Sequence, residues 1–271
     1  MRLIVRELEQ RGVNVRCDDA EEDSDHIAIL SEWDTYYGRI MPATFAAALT
    51  GGMPASIRRY AYLQGLDGII PEAESEEVDT KEKEKRSRPE GRSQLDYVRR
   101  LAHQLQRERG ILQRSQDKDI KAIGVLGSDV YDKLLMLQAL RDVYPDVIFF
   151  TTDLDARLIQ PSEQQWTRNL IVASAYGLQV GAGDRIQLPP FRGSYMAAMY
   201  HACRRAVSRS DPADTLRAKV FEIARRQAVS LDERKIRRVP LKLGMPGLSA
   251  MLVALLTLMI FLVTRLRGDF A

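Results

Sequence analysis

The sequence predicts an α/β fold: a mainly parallel, Rossmann-like sheet flanked by helices, followed by one C-terminal transmembrane helix. Three observations predict it. Short, near-continuous apolar runs alternate with stretches of helical periodicity, the pattern of strands buried on both faces. Residues 120–152 read as strand, helix and strand within one βαβ unit, so those two strands are expected to be parallel. And the 22 residues from Leu243 to Thr264 carry no charge.

In chain order, residues 3–10 predict a short helix closed by Gly12, then a brief strand at Val13–Val15. The acidic stretch Asp18–Asp25 reads as a solvated loop. Ile27–Leu30 suits a buried parallel strand, and Met41–Leu49 a helix with Pro42 in its first turn, stopped by Gly51 and Gly52. Ser56–Tyr62 is expected to be extended and to lead into the turn Gly65–Gly68. From Glu72 to Arg92 a single aliphatic side chain, Val78, stands among charges, too little apolar surface to order the segment. Ser93 is placed to cap a helix whose Leu95, Val98, Leu101, Ala102 and Leu105 share one face.

Ile120–Leu126 is the next strand, Gly127-Ser128 a tight turn with Ser128 able to cap the following helix, and Asp146–Thr151 a further strand. Asn169–Ser174 adds another, and helices are predicted at about Ser194–Val207 and Thr215–Val229. The resulting organisation is 1–71 as the first part of the α/β domain, 72–92 as a charged flexible insertion and 93–230 as the remainder. A basic juxtamembrane segment at 231–242, a span at 243–264 and a short tail at 265–271 complete it.

A helix of the span's length covers roughly 33 Å at ~1.5 Å per residue, enough for the ~30 Å hydrocarbon core of a bilayer. Arg234, Lys235, Arg237, Arg238 and Lys242 precede it, whereas Arg265 and Arg267 follow it with Asp269. That imbalance predicts a single-pass protein of the bacterial inner membrane with its globular part in the cytoplasm. The opening residues MRLIVRELEQRG do not have the apolar run and cleavage site of a secretory signal.

Composition narrows the function. A net charge of +3 with dispersed basic residues does not make a nucleic-acid surface. Cys17 and Cys203 read as two separate thiols, and His26, His103 and His201 form no metal-ligand pattern. No cofactor, metal or catalytic set is predicted. In parallel α/β sheets ligands bind beyond the carboxyl ends of the strands. Here those ends are Ser31-Glu32-Trp33-Asp34, Gly127-Ser128-Asp129 and Thr151-Thr152-Asp153, with Asp155 close behind. The carboxylates favour a hydroxylated, amino-bearing or cationic ligand over a nucleotide, and Trp33, Tyr36 and Tyr37 offer apolar walls. The same Asp and Ser residues are equally read as helix caps.

The stretch AILSEWDTYYGRIMPATFAAAL resembles the opening strand and helix of the second lobe in type 1 periplasmic-binding-protein-like domains, with Tyr37-Gly38 at the helix start. AIGVLGSDVYDKLLMLQALRD with DVIFFTTD is similar to the next strand, helix and strand, and YMAAMYHACRRAV to a later helix. The resemblance covers about residues 27–207, although only about 25 residues precede it where the family has a whole lobe. It implies a non-catalytic small-molecule-binding or sensory domain. Ser31, Glu32, Asp34, Tyr37, Gly127, Ser128, Asp129, Thr151 and Asp153 would line the site, with a protein partner or second copy completing the cleft. One alternative is a structural or interaction protein at the membrane with a vestigial cleft. Another is a Mg-dependent phosphatase-like hydrolase built on Asp153 and Asp155, although Ala156-Arg157 stands where that motif has Gly-Thr.

Overall fold

The computed structural model describes residues 1–15, 25–49, 56–66, 94–116, 118–179, 189–207 and 217–231. The segment 72–92, the basic stretch 233–242 and the apolar segment 243–264 lie outside them. Among the described residues no helix is long and apolar enough to cross a membrane.

Apolar strands set the architecture. β1 (His26–Glu32) is buried along its whole length, and β3 (Ile120–Leu126) everywhere except Lys121. With β2 (Ile57–Tyr62), β4 (Ile148–Thr152), β5 (Ile171–Ser174), β6 (Lys219–Ala224) and β7 (Gln227–Ser230) they form one sheet in the order β2-β1-β3-β4-β5-β6-β7. β2, β1, β3, β4 and β5 run parallel, and β6 and β7 are antiparallel additions. The sheet is therefore mixed and the fold α/β. From β1 the chain steps outward to β2 and then returns to β3 on the other side, so the topological switch point lies between β1 and β3.

Helices cover both faces. α1 (Arg2–Gln10) and α2 (Tyr36–Leu49) bury Ile4, Val5, Leu8 and Phe45 against Ile27, Ile29 and Phe150. On the other face α3 (Gln94–Gln116) and α4 (Val130–Arg141) bury Val98, Leu105, Leu137 and Leu140 against Leu30, Ile123 and Val125. At the amino ends of β3 and β4, Arg109 of α3 binds both oxygens of Asp119 and reaches Asp146. Its guanidinium holds both carboxyls below their usual range.

Gly124 shows how tightly the faces meet. A methyl group there would lie 2.5 Å from the Phe150 ring, and that ring is stacked on Phe45 at 5.1 Å, so it cannot withdraw. Gly124→Ala is expected to lower stability by about 1–3 kcal/mol, as overpacked cores do. Urea unfolding measures it, and an unchanged midpoint would mean the two rings move together at little cost.

Four expectations are corrected. Over its described residues the predicted helix Thr215–Val229 is the hairpin β6–β7, because Val220, Phe221 and Ile223 pack as strand residues. Its turn Arg225-Arg226 places Arg226 at φ 64 with none of the Gly or Asn that marks such turns in sequence. Val13–Val15 forms no strand, although Val13 and Val15 are buried. α2 begins at Tyr36 rather than Met41, because Thr35 accepts the Gly38 N–H at 2.9 Å and caps it there. Pro42 thus lies inside the helix. Asp129, not Ser128, caps α4, accepting from the Tyr131 N–H at 2.7 Å.

Candidate functional site

Glu32 ends β1 with its side chain wholly buried. The carboxylate accepts from the Ser128 N–H at 2.6 Å, the Asp129 N–H at 3.3 Å and the Thr35 hydroxyl at 2.6 Å. The Ser128 hydroxyl lies 3.0 and 3.1 Å from its two oxygens. A carboxylate thus occupies the amide cradle at the start of α4, where helix amides and dipole favour an anion. Two glycines make room for it. A Cβ on Gly38 would lie 2.3 Å from the Glu32 carbonyl oxygen, and one on Gly127 2.7 Å from Oε1. Gly38 thus closes on the Glu32 backbone, and Gly127-Ser128 on its carboxylate.

Residues Leu63–Leu66 pass over this anion as a strap. Gln64 donates its N–H to Asp34 and its side-chain amide to Ser128, both at 2.9 Å. Gly65 and Leu66 donate their N–H groups to the two oxygens of Asp132 at 2.8 and 2.7 Å. Asp132 is 1% exposed, and burial pushes its carboxyl pKa up despite these bonds. Beneath the strap lies Tyr62, the last residue of β2, 2% exposed. Its hydroxyl presses on Gly127, among the carboxylates of Glu32, Asp132, Asp129 and Asp34, and has no hydrogen-bond partner among the described residues. Burial first, and then Glu32, raise its phenol pKa well above the ordinary value.

A second set meets at the end of β4. Tyr37 Oη lies 2.5 Å from Thr152 Oγ1 and donates to Asp153 at 2.7 Å. Asp153 is exposed and held at φ 60, a left-handed conformation rare outside glycine and asparagine. Lys133 reaches the same place from α4, 1% exposed, donating from Nζ to the Thr152 carbonyl at 2.8 Å. Burial lowers its pKa, while Asp153, Glu32, Asp155 and Asp129 oppose that. Asp155 caps a short 3-10 turn, accepting the Arg157 N–H at 2.8 Å.

The structure thus brings together Glu32, Asp34, Tyr37, Gly127, Ser128, Asp129 and Asp153. It places two other expected residues elsewhere. Ser31 faces the Ile27–Ile29 side of its strand and is buried. Thr151 is buried inside the sheet, donating to the Val125 carbonyl at 2.6 Å. The neighbouring Thr152 hydroxyl is the one that meets Tyr37. Tyr62, Asp132 and Lys133 were not foreseen. Helical side chains lean toward the helix N-terminus, so a lysine four residues after the cap Asp129 points back at the strand ends; that was the available signal.

The arrangement offers a negative rim: Asp34, Asp129, Asp153 and Asp155 reach solvent to differing degrees. Beside it, Trp33, Ala61, Tyr62, Leu63, Leu66 and Tyr97 line an apolar groove of about 340 Å³. His26 lies at the amino end of β1, His103 on α3, and His201, on α5 (Ser194–Val207), stacks on Tyr176. Among the described residues no group of three or more His, Cys, Asp or Glu could hold a metal ion. Compared with known proteins, the chain matches no family model, no curated sequence and no solved structure.

Proposed function

We propose that the α/β domain is a non-catalytic small-molecule-binding or sensory module whose ligand carries a cationic amine. The observation behind this reading is the rim itself. Solvent-reaching carboxylates gather over the carboxyl ends of parallel strands at a switch point, where such folds bind ligands. The cation enclosed among them, Lys133, is buried and already bonded to Thr152, so the rim attracts positive charge and repels anions. The kinship with type 1 periplasmic-binding-protein-like domains and the tether at an inner membrane belong to the same proposal.

The test is thermal unfolding of the full chain in a mild non-ionic detergent, with 1,4-diaminobutane, succinate or inorganic phosphate added. A ligand at about 100 times its Kd stabilises by about 2.7 kcal/mol. The diamine is expected to raise Tm, less so at high salt. Asp34→Asn, which keeps an oxygen for the Gln64 N–H, is expected to abolish the response. Equal stabilisation by the two anions, or no shift with the diamine, would sink the proposal.

One observation favours a second reading, a structural or interaction protein with a vestigial cleft. Glu32 already fills the cradle between β1 and β3, and Asp129 and Asp155 are spent as caps. That protein would show no amine response while remaining folded.

A further inference from the structure

We propose that the groove beside the rim is the subsite for the ligand's apolar body, which makes the ligand a single-amine arylalkylamine without a carboxylate; this rests on the amine reading above. Trp33 is 64% exposed, Leu63 58% and Tyr97 39%, three large apolar side chains around one concavity. Tyr97 is fixed by donating to the Ala61 carbonyl at 2.6 Å, so the Tyr97 side of the groove is preformed. Charge complementarity selects the occupant. Asp34 follows Trp33 directly and is tied to Gln64, the neighbour of Leu63, which puts a carboxylate at the mouth of an apolar groove. Exposed indole beside a carboxylate suits an ammonium, through both ion pairing and the ring face.

Tyr62 supplies an independent observation. Its ring lines the groove while its hydroxyl points inward and has no hydrogen-bond partner among the described residues. An ammonium has three donors; Asp34 and the Tyr62 oxygen are acceptors for two of them. For the amine to reach that oxygen the Leu63–Leu66 strap must shift, and its outer ties, Gln64 to Asp34 and to Ser128, are exposed. Asp34 and Asp129 would oppose a ligand carboxylate.

The experiment follows Trp33 emission in the full chain carrying Trp166→Phe, titrated with 2-phenylethylamine, phenylalanine and 1,4-diaminobutane. Phenylethylamine is expected to move the emission and saturate, binding about tenfold or more tighter than phenylalanine or the diamine, as burying an aromatic ring allows. Tyr62→Phe is expected to weaken it by about three- to tenfold, the worth of one hydrogen bond, without loss of stability. Leu63→Ser is expected to weaken phenylethylamine and leave the diamine unchanged.

A diamine that raises Tm while phenylethylamine binds no tighter and leaves Trp33 unmoved overturns the groove and spares the rim. Silence from every amine overturns both. Equal binding of phenylalanine overturns the exclusion of a carboxylate, and unchanged binding by Tyr62→Phe removes the hydroxyl's role. A Trp33 shift that follows protein concentration without amine means a second copy covers the groove, which also overturns the inference.

Discussion

Replacing Glu32 with alanine is expected to lower stability by about 3–5 kcal/mol, the cost of removing one partner from a buried charged network. The change leaves the Ser128 and Asp129 amides and the Thr35 hydroxyl without the acceptor they share. It also removes the anion facing the N-terminus of α4, and it opens a cavity bounded by Tyr62 and Gly127. Glu32→Gln keeps the volume and an oxygen for the two amides but turns its NH2 toward the Thr35 and Ser128 hydroxyls, which must reverse to accept, and is expected to cost about 1–3 kcal/mol. Thr35→Ala isolates the α2 cap and should cost about 1 kcal/mol. Urea unfolding of the three variants gives the order Ala, Gln, then Thr35→Ala. A loss under about 1 kcal/mol for Glu32→Ala would show that the network contributes little net stability and that the crevice readily fills with water.

The same network shows which parts of the molecule were legible in sequence. Strand β3 is legible at Ile120–Leu126, where it forms, because a strand buried on both faces is an apolar run bounded by turn residues. The βαβ unit followed from spacing alone. The hairpin β6–β7 was not legible: Lys219–Ala224 mixes charged and apolar residues at spacings compatible with either period, and pairing with β5 decides it. At the site, the polar strand ends were legible by rule, but their roles were not. Glu32 and Asp34 look alike in sequence, yet one is an internal anion under the strap and the other reaches solvent. The difference arises from Gly38 and Gly127, which let backbone approach Glu32 from two segments far apart in the chain. Tyr62 was invisible as a site residue because its importance depends on β2 lying next to β1. The capping alternative also proved apt for Asp129 and Asp155.

Lys133→Ala is expected to destabilise the domain by about 3–5 kcal/mol, combining a cavity with the loss of an enclosed cation. The Thr152 carbonyl loses its donor, and Asp153, Glu32, Asp155 and Asp129 lose the positive charge whose field they share. Lys133→Met separates the two contributions. It fills most of the volume, relieves the burial of an ammonium and leaves the carboxylates uncompensated, so its cost is expected to be smaller and to depend on pH. The sign follows from linkage. In the unfolded chain the lysine titrates near 10.5, and in the fold burial lowers that value. Between the folded value and 10.5 the unfolded state holds the extra proton, so stability rises with pH across that window and is lost as pH falls through the folded value. The stability gap between the parent and Lys133→Met is therefore expected to shift in the parent's favour as pH climbs toward 10.5, which urea unfolding at successive pH values measures. The phenols of Tyr37 and Tyr62 titrate high in both proteins and cancel in that difference. A gap that stays flat would mean that the four carboxylates offset the burial completely, leaving Lys133 an ordinary charged lysine. A gap that narrows would mean they outweigh it, with the ammonium bound into the rim more tightly than in water.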